Sequence, residues 1–126
     1  MLYAILCYHD EDVVGAWTKE EDEAVLAKRA RTTDRLATQG KLGPVARLMP
    51  TTAAVTVRSG DEPLVLDGPF AETKEQLLGF YLIDCASLDE AIGAAREMGH
   101  GESGAFEVRP VRLFRAGTAK LEALEA

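Results

Sequence analysis

Residues 2–8 carry apolar groups on both faces of a strand, with Leu2, Ala4 and Leu6 on one side and Tyr3, Ile5 and Cys7 on the other. Residues 77–83 are nearly as two-sided. A sheet built around such strands needs cover on both faces. Two segments offer helical cover. Thr18 and Glu21 form a capping box ahead of Val25, Leu26, Ala30, Thr33, Leu36 and Ala37, a run that Gly40 ends. Ser87 and Glu90 form a second box ahead of Leu88, Ala91, Ile92 and Ala95, with Gly99 as the stop. Two helices can cover one face only. The other face is expected to pack on a second copy of the same sheet.

Strands are expected at 2–8, 53–58, 63–67, 77–85 and 105–114, with a weaker one at 41–48 because Gly43-Pro44 interrupts it. Ser59-Gly60-Asp61-Glu62 is a turn that should fold 53–58 and 63–67 into a hairpin. The order is strand, helix, several strands, helix, strand. That is an α+β plan of the ferredoxin-like, split βαβ kind, with two helices on one face of an antiparallel sheet. One domain over residues 1–115 is expected, followed by a tail at 116–126 that is either helical or frayed.

Composition narrows the function classes. A net charge of −7 argues against nucleic acid, whose phosphates need a basic surface. Lys28, Arg29, Arg31 and Arg35 spread over more than one helix face and follow Glu20 to Glu23, as the helix dipole favours. No apolar run is long enough for a membrane span, and the N-terminus reads as a strand rather than a signal peptide. Cys7 and Cys85 sit in apolar strands, so reduced, buried thiols and a cytoplasmic location are expected. No phosphate-binding glycine loop, nucleophile elbow or paired-histidine zinc motif is present, so neither cofactor nor metal is expected.

Chemistry-bearing residues concentrate in Asp67-Gly68-Pro69-Phe70-Ala71-Glu72-Thr73-Lys74-Glu75. Turn chemistry alone accounts for Asp67, Gly68 and Pro69. The sharper expectation is that Phe70 anchors the turn in the core while Asp67 and Glu72 act as a catalytic pair at a cleft, with Lys74 beside them. An exposed Glu–Lys pair on a loop is usually just solvated. Tyr8, His9 and Tyr81 complete the candidate ligand-binding set with Arg29 and Lys74. His100, among glycines, suits a loop tip.

The string Asp67-Gly68-Pro69-Phe70, with Leu78-Gly79-Phe80-Tyr81-Leu82-Ile83-Asp84 and Phe106-Glu107-Val108-Arg109-Pro110-Val111, resembles the YCII-related family and its DGPF subgroup. The resemblance covers nearly all of the chain except the tail. It implies a homodimeric α/β barrel that binds a small polar or anionic molecule, with lyase- or isomerase-like chemistry as one activity. A non-catalytic accessory or regulatory role beside an extracytoplasmic-function sigma factor is the alternative. Relatives carry a histidine on the first long helix as half of a histidine–carboxylate pair. Arg29 stands at that position here. It cannot serve as a base, but it can clamp an anion, and Asp67 or Glu72 is its expected partner when no ligand is bound.

Overall fold

In the computed structural model, which describes residues 1–124, β1 (Leu2–Asp10) is a central strand that pairs antiparallel on both sides. A short helix, α1 (Glu11–Ala16), leads into the long helix α2 (Lys19–Thr38) and then into β2 (Leu42–Arg47). Next come β3 (Val55–Arg58), β4 (Leu64–Asp67), β5 (Glu75–Asp84), α3 (Leu88–Met98) and β6 (Ala105–Pro110). The main sheet has the order β2-β5-β1-β6, with every neighbouring pair antiparallel. This is the expected ferredoxin-like plan.

The alternation of β1 fixes where the core lies. Tyr3, Ile5, Cys7 and His9 are buried on one face, while Leu2, Ala4, Leu6 and Tyr8 are only half-buried on the other. Ile83 and Tyr81 of β5 join the first set, and Ala91, Ala94, Ala95 and Met98 of α3 close over them. Burying Ile5, Ile83 and Met98 should contribute about 1.5–3 kcal/mol each. The first helix start carries the expected capping box, in which Thr18 and Glu21 exchange two hydrogen bonds. At the second, Ser87 accepts from the Glu90 N–H as a simple N-cap, and the box is not closed because the Glu90 carboxylate accepts from the Ala86 N–H instead. Cys7 and Cys85 are buried, free thiols. Among the described residues, no helix is long and apolar enough to cross a membrane.

Local departures from expectation have physical causes. Helix α1 was not expected, because Val13, Val14 and Gly15 form helix poorly; the Asp10 carboxylate caps it by accepting from the Asp12 N–H at 2.9 Å. Strand β2 accommodates Gly43-Pro44 because it is an edge strand with a register shift between Leu42 and Val45. The last strand ends at Pro110, short of the expected residue 114, and residues 111–124 hold no helix or strand. The remainder of the expected tail, residues 125 and 126, lies outside the described residues.

The hairpin departs most. Strands β3 and β4 pair as expected, from Val55 opposite Asp67 to Arg58 opposite Leu64, but they form a separate two-stranded sheet. Their apolar side chains stay exposed, Val57 and Val65 at 63% and 68%. Phe70, expected in the core, is 75% exposed. The hairpin stands apart from the main sheet, so its ring meets the Arg58 guanidinium at 5.3 Å instead of the interior.

Candidate functional site

A cavity of about 150 Å³ lies between the helix-covered face of the sheet and α2. One stripe of α2 forms its wall: Asp22, Val25, Leu26 and Arg29 recur at the i, i+3, i+4, i+7 spacing that puts side chains on a single face. A bulge between β1 and β5, where the register shifts after Cys7, lets the successive residues Leu78 and Gly79 both line it. Gly79 is needed there, because a Cβ at that position would lie 2.7 Å from the Ala46 carbonyl oxygen. Across the mouth, Arg47 of β2 donates to both carboxylate oxygens of Asp22, at 2.9 and 3.2 Å.

At one side of the cavity, Arg29 meets Glu102, which sits in the loop between α3 and β6. The contact is a two-pronged fork: Nη2 donates to Oε1, and Nε donates to Oε2 at 3.1 Å. Lys28 adds a bond to Oε2 at 2.7 Å and another to the His100 carbonyl oxygen at 2.6 Å. The carboxylate is 3% exposed, with the two cations at 16% and 19%. The guanidinium also lies 5.0 Å from the centre of the Phe106 ring. Two cations on one anion leave a surplus positive charge beside the cavity.

Ionisation follows from this packing. Burial disfavours the Glu102 carboxylate, but the Arg29 and Lys28 hydrogen bonds outweigh it and hold the group below the ordinary carboxyl range. Burial likewise disfavours the Arg29 cation, and Glu102 and Tyr81 more than offset it. Burial pushes the Cys7 thiol up to about 11, against the pull of Arg29. It raises Tyr81 as well, so near neutrality the cavity presents a thiol and a phenol rather than their anions.

His9 completes the site. It is 4% exposed, lines the cavity, and meets the Trp17 ring edge-on at 5.4 Å between centres. Among the described residues neither ring nitrogen has a hydrogen-bond partner. The ring's carbon side rests against Gly104, where a Cβ would come within 2.7 Å of Cδ2 and 2.5 Å of the Tyr8 carbonyl oxygen.

The candidates named from sequence therefore divide. Tyr8, His9, Arg29 and Tyr81 line one cavity, although the Tyr8 hydroxyl donates to Glu107 at 3.4 Å. Asp67, Glu72 and Lys74 do not line it; all three are exposed on or after the β3–β4 hairpin and make no side-chain hydrogen bond or ion pair among the described residues. The Asp67–Glu72 pair expected at a cleft does not reach this cavity: the connection stays exposed because its hairpin is not part of the main sheet. The partner of Arg29 is corrected, from Asp67 or Glu72 to Glu102. Glu102 was missed because Gly99 to Gly104 reads as a flexible tip. The signal was Gly104, followed directly by strand residues that must pass close to the end of β1. Among the described residues, no group of three histidine, cysteine or acidic side chains is placed to hold a metal.

The model of the YCII-related domain matches residues 1–115, all of the main sheet and its helices. The chain belongs to the YCII-related family. A member from Rhizobium meliloti (strain 1021), named only as an uncharacterised protein, is 59% identical over 120 residues, covering 93% of this chain and 97% of that protein. In this YCII-related chain, the Arg29 guanidinium is forked onto the Glu102 carboxylate.

Proposed function

We propose that this YCII-related protein binds a small weak acid, about one ring in size, in the cavity between α2 and the sheet. The observation that carries the reading is the cavity itself: about 150 Å³, walled by Val14, Trp17, Val25, Leu26 and Leu78, with a surplus positive charge at one side. A cavity of that size accommodates a single benzene-sized ring. The apolar wall favours the ring, and the surplus charge from Lys28 and Arg29 favours an acidic oxygen on it. The Arg29 fork holds Glu102, so it acts as a fixed electrostatic wall rather than as a free clamp.

Lyase- or isomerase-like chemistry on such a molecule requires a base. Arg29 stays charged, Cys7 and Tyr81 are held protonated, and Asp22 has both oxygens engaged by Arg47, so none of these four supplies it. The test of the binding reading is calorimetric titration of benzoate and phenol into wild type and Val25→Phe. Binding by wild type that the cavity-filling variant loses supports the site; binding that Val25→Phe retains removes it.

A second reading, association with a protein partner, is favoured by one observation: the exposed apolar side chains of the β3–β4 hairpin and Phe70. Leu2, Ala4, Leu6, Phe80 and Leu82 on the uncovered sheet face add to it. The partner we favour is a second copy of this chain, through an interface of about 2,000 Å² or more. Sedimentation showing a folded monomer at micromolar concentration would remove this reading.

A further inference from the structure

We propose that His9 bonds the bound weak acid directly and is the group that takes its proton. The inference rests on the binding reading above and adds the contact that recognises the acid. A buried imidazole normally spends its donor and its acceptor on protein groups or ordered water. His9 is 96% buried by its 4% exposure, and both nitrogens lack a protein partner among the described residues while the ring lines a cavity. Its orientation is fixed. Trp17 meets it edge-on, and Gly104 lies against the Cγ–Cδ2 edge of the ring, which leaves the nitrogen-bearing side without a protein hydrogen bond.

The chemistry that fits is an O–H acid on a small ring, a phenol or a carboxylic acid. The neutral imidazole accepts a hydrogen bond from the acid's O–H. If transfer goes to completion, the O–H bond breaks, an N–H bond forms, and an imidazolium faces an oxyanion. The surplus positive charge of Lys28 and Arg29 over Glu102 opposes the imidazolium and stabilises the oxyanion. The other groups around His9 are accounted for. On its own strand are Cys7, Tyr8 and Asp10, and Asp10 caps α1. From α2 come Asp22, paired to Arg47 of β2, and Arg29, paired to Glu102. From β5 come Tyr81 and, directly opposite His9, the uncharged Gln76. The carboxylate among the described residues that line the cavity, Asp22, has both oxygens engaged by Arg47.

The chain has two histidines, so His100, on the exposed loop, is an internal control. The experiment is a long-range proton–nitrogen spectrum of the full ¹⁵N-labelled chain during titration with phenol, which keeps its O–H near neutrality, and, separately, with benzoate, which has none there and reports the contact with the anion alone, both at millimolar concentration. Both are also titrated into His9→Gln, which keeps a donor and an acceptor but cannot take a proton, and into Val25→Phe. The expected result is a ligand-induced shift of the His9 ring nitrogens with His100 unmoved, and binding weakened about tenfold in His9→Gln, the loss of roughly one good hydrogen bond. The wild-type spectrum gives the answer even if His9→Gln folds poorly. If both probes bind wild type and Val25→Phe abolishes binding, but the His9 nitrogens stay still, the role of His9 is overturned and the cavity reading stands. If neither probe binds wild type, or binding survives Val25→Phe, the cavity reading fails and the inference fails with it.

Discussion

The chain places two clusters of opposite charges in different surroundings. Glu102 with Arg29 and Lys28 is nearly enclosed, its carboxylate 3% exposed. Asp67, Glu72 and Lys74 lie within eight positions of one another and are exposed throughout. In sequence the second cluster looks richer, since its charges are adjacent and a turn gathers them. In space the first cluster is the one that reaches a cavity, with partners more than seventy residues apart. Charge density along a chain is a poor guide to a site. What matters is whether the backbone that carries the charges is itself docked.

The largest expected effect follows from that contrast. Glu102→Ala leaves two cations at the edge of the core without their anion, and breaking a buried pair in this way costs about 3–5 kcal/mol. Asp67→Ala, with no side-chain bond to lose, should change stability by less than about 0.5 kcal/mol. Urea denaturation of the two variants beside wild type checks this. Equal losses would mean that burial is not what separates the clusters.

The glycines sharpen the same comparison. Gly104→Ala forces a Cβ to within 2.5 Å of the Tyr8 carbonyl and 2.7 Å of the His9 ring, and should cost about 1–3 kcal/mol as an overpacked core site does. Gly68→Ala meets no neighbouring atoms and suffers only from its φ of +104°, a cost of about 1 kcal/mol or somewhat more. The variants should also differ in kind. Gly104→Ala should disturb phenol binding by displacing His9, whereas Gly68→Ala should leave it unchanged.

Acid separates the clusters more gently. The Glu102 pKa is lower in the folded state than in an ordinary carboxyl, so its contribution is complete above the unfolded value and is lost as pH falls through the folded one. Wild type should therefore lose stability below about pH 4.5 more steeply than Glu102→Gln, which has no carboxyl to protonate there. Denaturation midpoints measured at intervals of pH give both slopes. Parallel slopes would mean that the ion pair contributes nothing specific to acid sensitivity.

Much of the fold was legible because it is written in local rules. The alternation of residues 2–8, the helix starts at Thr18 and Ser87 and a turn at Ser59–Glu62 correspond to β1, α2, α3 and the β3–β4 hairpin. Arg29 was legible as an inward-facing cation from its spacing on α2. Its partner was not, because a pairing between residues 29 and 102 is set by how α2 and the loop before β6 dock on the sheet. The undocked hairpin was illegible for the same reason. An alternating strand such as Val55-Thr56-Val57 reads the same whether its apolar side meets a core, a partner or water.

The smallest expected effect tests the exposed cluster itself. Phe70→Ala removes a ring that is 75% exposed and whose described contact is the Arg58 guanidinium at 5.3 Å. A core position would lose about 3–5 kcal/mol on this change. At this site the loss should be about 0.5–1 kcal/mol, the usual worth of an exposed cation–π contact. Phenol and benzoate affinities should not move. Sedimentation gives the substitution its use. If the hairpin binds a second copy of the chain, Phe70→Ala should weaken self-association while the stability of each chain is nearly unchanged. If self-association is also unaffected, the ring serves neither core nor interface, and the hairpin reading of partner binding loses its strongest residue. A loss of several kcal/mol would instead mean that the hairpin docks on its own sheet in solution, and the contrast between the two clusters would collapse.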